Sequence, residues 1–330
     1  MSGDIPLILI RGKNMQEITL RAFAKINLSI DVLGLLENGY HQVEMIMQQI
    51  YLHDLVSVRW QPDDSGEIRI RLFSNKKFLP TDERNIAYKA ALAMSEKYGK
   101  GLSGEITVRI KKMIPVAAGL AGGSGNGAAV ILGLNHLWQL KRPLKELMDE
   151  GAKLGADVPF SMMGQAKCNK VLGNEMNSDP DAACCALAFG TGTELKPIKK
   201  TISTYMVLSK PAVSVSTAEI YKGIDDEEIV RRPDNRLLME ILESEDDVTV
   251  KKEKLERNMV NVLETVTAKR YPLVMYTKDR ILKTWPDAVV FMSGSGPTMF
   301  TFTESENQAK EICEVLKRDI RETFWTRTMV

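Results

Sequence analysis

The sequence predicts an α+β protein of two domains. Three observations carry that expectation: apolar alternation of strand period near the start, an apolar helical run directly behind a glycine-rich stretch, and a closing succession of two strands, a helix and a last strand-like segment. A length of 330 residues is a prior for two domains, and a hydrophobic content of 44% allows a large core.

In chain order, EITLRAFAKINLSIDVLG alternates at Ile18, Leu20 and Ala22, then at Ile26, Leu28, Ile30 and Val32, the pattern of strands with one buried face. LVSVRW, EIRIRLF and EITVRI repeat it at residues 55, 67 and 105, while Ile86, Ala90, Ala93 and Met94 fall at helical spacing. Behind the glycines, AAVILGLNHLW is apolar nearly all round, as in a helix packed between layers. PLKELMDEGAKLG opens on Pro143 and closes on Gly151 and Gly155, and a further helix is expected from near Asp157. Residues 165–183 lack clear periodicity and carry Asn, Asp and Pro, so they read as a long surface loop or a partly ordered insertion at the candidate domain boundary, with domains at 1–183 and 184–330. Beyond it come the strand TYMVLSK, helical segments between about 217 and 283, the strand pair AVVFMSGSGPTMFTF, the helix SENQAKEICEVLKRDI and FWTRTMV, an order resembling a split β-α-β unit.

Forty-four basic and forty-three acidic side chains leave a net charge of +1, so no global field argues for nucleic acid or an anionic membrane as a partner. Cys168, Cys184, Cys185 and Cys313 contain no C-x-x-C pair and read as reduced thiols. IPLILI, from Ile5, has no cleavage pattern behind it, and no run reaches the ~18 apolar residues of a membrane helix. A cytoplasmic protein is expected.

Residues 115–128, PVAAGLAGGSGNGA, hold five glycines between 119 and 128. Glycine lets backbone N–H groups approach a ligand closely, and a loop feeding a helix start adds that helix's unpaired N–H groups and its positive dipole end, which suits phosphate. No Lys-Ser or Lys-Thr follows, so it is not a Walker loop. A tight connection that merely lets the next helix pack closely is an equal reading of these residues alone.

Four other stretches carry polar groups of possible chemical use. AFAKINL puts Lys25 and Asn27 on one side of an apolar strand, where a solvated face is the ordinary reading. NGYHQVEMIMQ begins with an Asn-Gly turn signal and presents Tyr40 and His41, able to stack on a flat ring and bond its edge, or simply to form a hairpin tip. His53 and His136 show no metal-ligand spacing with it. GADVPF sets Asp157 between Gly155 and Pro159, as a helix N-cap or as a carboxylate able to take a proton or hold magnesium. MSGSGPTMF is a second glycine-rich turn, with Ser293 and Ser295.

Together and in this order, AFAKINL, NGYHQVEMIMQ, KKMIPVAAGLAGGSGNGAA, GAKLGADVPF, KPAVSVSTAEIY and MSGSGPTMF resemble the GHMP small-molecule kinases, from about Ile18 to about Lys317. The resemblance implies a ribosomal-S5-like N-terminal domain and a ferredoxin-like C-terminal domain. It implies transfer of the ATP γ-phosphoryl, with Mg²⁺, to the 2-hydroxyl of a sugar alcohol carrying cytidine diphosphate, in the non-mevalonate route to isoprenoid precursors. Lys25 and Asp157 match the family's catalytic pair, and such a kit suffices for phosphoryl transfer, which is mostly positioning and charge stabilisation. Gly119, Gly122, Gly123, Ser124, Gly125 and Asn126 match the ATP loop that Pro115 opens, with Asn85 and Lys112 bordering the nucleotide. Tyr40 and His41 match the positions that hold cytosine, and Asn27, Thr217, Tyr221, Gly294, Ser295 and Gly296 the rest of the substrate side.

The chain departs from the family pattern in two places. Gly125 stands where a second serine is usual and Gly127 where alanine is usual, which predicts a looser loop lacking one hydroxyl. Residues 165–183 form an insertion of about twenty residues that reads as surface decoration. Other expectations stay open beside the cytidine kinase: a mevalonate or homoserine kinase, whose substrates have no base for Tyr40 and His41, or a non-catalytic nucleotide-binding relative. Retention of both Lys25 and Asp157 weighs against the last.

Overall fold

The computed structural model describes residues 15–37 and 39–330; the apolar stretch from Ile5 and Asn38 of the expected turn lie outside the described residues. The elements in chain order are β1 (Gln16–Leu35), β2 (His41–Pro62), β3 (Ile68–Ser74), α1 (Ile86–Tyr98), β4 (Gly104–Lys111), α2 (Gly122–Leu137), α3 (Leu144–Ala152), α4 (Val158–Cys168) and α5 (Asn174–Asn177). There follow β5 (Cys185–Phe189), β6 (Glu194–Ile198), β7 (Tyr205–Lys210), α6 (Thr217–Ile224), α7 (Asn235–Glu243), α8 (Val248–Asn258), α9 (Leu263–Arg270), α10 (Pro272–Thr284), β8 (Phe291–Met292), β9 (Met299–Thr303), α11 (Glu306–Leu316) and β10 (Glu322–Arg327). The chain groups into two compact units, the first holding residues up to 23, 53–114 and 122–182, the second 24–52, 115–121 and 183–330. β1 and β2 therefore contribute residues to both.

In the first unit, β2 pairs antiparallel with β4, Val58 facing Val108, and β3 runs parallel to β4, Ile70 facing Ile106. Val56, Val58, Ile106 and Val108 are buried on this sheet. α2 is buried from Gly125 to Asn135, as its all-round apolar sequence predicts, whereas α3 buries only the stripe Leu144, Leu147, Met148 and Gly151. α1 starts where the Asn85 side chain accepts from Ala87 N at 3.0 Å, a cap worth about 1 kcal/mol.

Residues 165–183 are the ordered insertion rather than the plain loop, of the two readings that their composition allows. They contain the end of α4, a 3₁₀ turn at Lys170–Leu172 and α5. Polar side chains do the anchoring: buried Asn169 accepts from Arg21 N (2.9 Å) and donates to Arg21 O (3.1 Å), and Asn177 donates to Ala166 O (2.6 Å) and Asn169 O (3.1 Å). A segment held by amide-to-backbone bonds needs no apolar period, so periodicity could not reveal it.

In the second unit, the first part of β2 pairs with β5, Met45 facing Ala188, and β5 pairs with β6. A separate four-stranded antiparallel sheet has the order β10-β7-β9-β8. Counting its strands along the chain gives 4-1-3-2, the split β-α-β arrangement expected from the closing segments. Phe300 and Phe302 on β9, Met206 and Leu208 on β7 and Leu316 on α11 are buried here. Its helices open on capping side chains: Ser216 accepts from Glu219 N, Asp234 from Leu237 N and Ser305 from Gln308 N. Burial pushes the Cys185 thiol up to about 12, so it is inert at neutral pH. Among the described residues no helix is long and apolar enough to cross a membrane.

Candidate active site

The glycine-rich stretch divides differently from the sequence expectation. Residues 115–121 are the loop, and the helix already begins at Gly122, so Gly123, Ser124, Gly125 and Asn126 form the first turns of α2. The unpaired N–H groups of that first turn are thus presented with almost no side chains around them. Gly122 is required by close approach: a Cβ there would stand 2.6 Å from Lys112 Nζ. The expected looseness of Gly125 and Gly127 is not what the structure shows, because both lie buried within α2. Gln165 Nε2 donates to Gly125 O at 2.8 Å, and a Cβ on Gly127 would come within 2.6 Å of Ile86 Cγ2, so that glycine lets α1 pack against α2.

Lys112 and Asn126 meet on a residue that sequence reading missed, Asp54. Its Oδ2 accepts from Lys112 Nζ (2.5 Å) and Asn126 Nδ2 (2.8 Å), and its Oδ1 from Met113 N (2.7 Å) and Ile114 N (2.8 Å). Burial pushes the Lys112 ammonium below the ordinary lysine range, against the opposing pull of the Asp54 carboxylate. Asn85 spends its amide on the α1 cap and on Pro80 O (2.8 Å). Asp157 occupies the N-cap position of α4 with Pro159 in the first turn, but its side chain makes no cap hydrogen bond. The plain capping role is therefore not used.

In the second unit, Lys25 Nζ donates to Asn27 Oδ1 at 2.6 Å, and the same oxygen accepts from Gly294 N at 3.0 Å. Lys25 and Asn27 are both buried rather than on a solvated strand face. Lys25 N donates to Leu120 O, and Ser293 Oγ to Gly119 O at 3.0 Å, so the 115–121 loop and the 293–296 turn close on each other. Gly119 has φ +71°, and a Cβ there would lie 2.4 Å from Ser293 O. Only glycine meets both demands. Asn261, also missed, donates to Met292 O (2.9 Å) and Gly294 O (2.7 Å), and Thr267 Oγ1 to Ser295 O (3.1 Å). Thr217 Oγ1 and Ser295 Oγ share a hydrogen bond of 2.9 Å; Gly296, at φ +87°, completes the turn.

His41 is held by a third residue without a sequence signal. Its Nε2 lies 3.0 and 3.1 Å from the two carboxylate oxygens of Asp225, and its ring is 5.5 Å from that of Tyr221. Tyr40 is 66% exposed. Asp225 sits in the acidic run IDDEE, where nothing distinguishes it from a solvated face.

Both halves of this geometry have counterparts in known proteins. The GHMP kinases N terminal domain matches residues 85–165 and the GHMP kinases C terminal domain residues 238–321. The chain is 42% identical over 302 residues to 4-diphosphocytidyl-2-C-methyl-D-erythritol kinase of Alkaliphilus metalliredigens, covering 92% of this chain and 93% of that one. It belongs to this family of GHMP kinases. The enzyme of the same name from Acetivibrio thermocellus is 40% identical over 96% of this chain and 100% of its own. A crystal structure of 4-(cytidine 5'-diphospho)-2C-methyl-D-erythritol kinase superposes on this kinase with a TM-score of 0.71 at 25% identity, covering 95% and 100% of the two chains. Homoserine kinase from Cytophaga hutchinsonii, at 17% identity and a TM-score of 0.64 over 98% and 97%, shares the fold. As a GHMP kinase, the chain has ATP for its phosphoryl donor.

Proposed function

We propose that this kinase transfers the γ-phosphoryl of ATP to the 2-hydroxyl of 4-diphosphocytidyl-2-C-methyl-D-erythritol, giving the 2-phosphate and ADP in the non-mevalonate route to isoprenoid precursors. The observation that carries the proposal is identity of about 40% across nine-tenths of the chain to bacterial enzymes of that name. The family's N-terminal and C-terminal matches fall on either side of residue 183, which supports an N-terminal ATP-binding and catalytic domain at 1–183, carrying Asn27, Tyr40 and His41 as well, and a C-terminal substrate-binding domain at 184–330. Bacterial relatives and soluble charged substrates favour a cytoplasmic site of action.

In this reading the first turn of α2 holds the triphosphate on its N–H groups, with Ser124 its one hydroxyl. Asp157, whose carboxylate is not spent on a cap, takes the proton from the attacking hydroxyl. As the new P–O bond forms, the bond from the γ-phosphorus to the bridging oxygen breaks and that electron pair leaves with ADP. Lys25, steadied by Asn27, meets the charge of the transferring group, and Tyr40 with His41 grips the base. Among the described residues no group of three His, Cys, Asp or Glu side chains forms a metal cage, whereas a lone carboxylate such as Asp157 and a hydroxyl such as Ser124 suit an ion held chiefly by phosphates. Bound Mg²⁺ would supply charge neutralisation at the β- and γ-oxygens.

The test is a coupled ADP-release assay with ATP and Mg²⁺, offering the cytidine substrate beside mevalonate and homoserine. Turnover with the cytidine substrate alone is expected. Turnover with mevalonate or homoserine instead would overturn the substrate, and silence with all three in a folded protein would overturn the kinase activity.

A further inference from the structure

Asp54 is the most heavily used carboxylate around the expected nucleotide loop. It is fully buried, and four donors converge on it: two backbone N–H groups at the end of the β4 segment, the Lys112 ammonium and the Asn126 amide. The Asn126 Oδ1 in turn lies 3.3 Å from Lys112 Nζ, which closes the three side chains into a ring. That ring has two geometric consequences. Residues 112–114 are clamped immediately before the 115–121 loop, and the Lys112 ammonium is pinned where a Cβ on Gly122 would be, against the first turn of α2. A fixed positive charge beside unpaired N–H groups is an anion-binding arrangement whose aim depends on what holds the lysine.

We propose that Asp54 is a positioning residue for the nucleotide: acting through Lys112 and Asn126, it sets the aim of the ammonium and the start of α2 toward the ATP phosphates. This rests on the reading of α2 as the ATP cradle. The test compares the wild type, Asp54→Asn, Lys112→Met and the double variant by steady-state kinetics in each substrate and by thermal melting. Asp54→Asn keeps the side-chain shape and one acceptor oxygen but turns an N–H₂ or an uncharged oxygen toward the ammonium. It is expected to raise the KM for ATP roughly 10- to 100-fold, the scale of misplacement by about an ångström, and to leave the KM for the cytidine substrate unchanged. Since Asp54 acts through Lys112, the double variant is expected to raise the ATP KM no further than the worse single change. A folded Asp54→Asn protein with the wild-type KM for ATP overturns the proposal. If that variant melts below the assay temperature, the kinetics are run below its melting point, where a raised ATP KM at an unchanged KM for the cytidine substrate upholds the proposal and a wild-type ATP KM overturns it. Failure of the wild type itself to use ATP would instead sink the functional reading, so the two failures are told apart.

Discussion

Two lysines, one in each unit, are equally hidden and differently kept. Lys25 and Lys112 are each 5% exposed. Lys112 faces the Asp54 carboxylate at 2.5 Å, whereas Lys25 rests on the neutral amide oxygen of Asn27 at 2.6 Å and has no carboxylate partner among the described residues of its own unit. Burying a cation without a counter-charge is costly, so such a group persists where a ligand brings the missing anion. In the proposed reaction the transferring phosphoryl group would bring Lys25 the anion that Lys112 already has in Asp54.

The largest effect that bears on this contrast is at Asp157. Asp157→Asn is expected to lower kcat by about 10²–10⁴-fold while ATP still binds, because it removes the proton acceptor and little shape. Normal turnover in an ADP-release assay would mean that no base acts there, and Lys25 would lose the reaction it is said to serve.

The two lysines are compared directly by changing each to methionine. Lys112→Met leaves Asp54 buried without its cation and is expected to cost about 3–5 kcal/mol in urea unfolding. Lys25→Met removes an unpaired buried charge, so its stability should stay within about 1 kcal/mol of the wild type while kcat falls on the order of 10²–10³-fold. Equal loss of stability in both variants would abolish the distinction.

Smaller effects sharpen the picture on either side. Tyr40→Ala should raise the KM for the cytidine substrate by roughly tenfold with kcat nearly unchanged, since stacking worth about 1–3 kcal/mol persists from ground state to transition state. An unchanged KM would remove Tyr40 from the base site. Within α2, Gly127→Ala meets Ile86 Cγ2 at 2.6 Å, and overpacking of about 1–3 kcal/mol should exceed the roughly 1 kcal/mol of helix propensity gained. Gly125→Ala meets nothing closer than Phe23 O at 3.4 Å and should be stabilising by about 0.5–1 kcal/mol. Melting curves that rank the two the other way would show that α1 does not depend on Gly127.

Much of this was legible before any coordinates. The helices α1, α2, α3 and α11 follow from apolar spacing, the ferredoxin-like sheet order from the family resemblance alone, and the matching motifs name Lys25, Asp157 and the glycine loop. The boundary between loop and helix was not legible, because glycine lowers helix propensity even where a helix begins. Residues 165–183 could not be settled between loop and ordered insertion for a related reason: Asn169 and Asn177 hold the backbone with side-chain amides, an arrangement without period.

By itself the sequence determined the α+β class, the order of elements and the family, since each depends on neighbours a few residues apart or on motifs read in order. Only the tertiary structure decided which polar groups are spent and which are free to act. Asp54 lies 58 residues from Lys112 and 72 from Asn126, and Asp225 lies 184 from His41, so no local pattern marks either acid. Hydrogen bonds and buried charges are satisfied by whatever folding brings within about 3 Å, and that is a property of the packed chain rather than of any stretch of it.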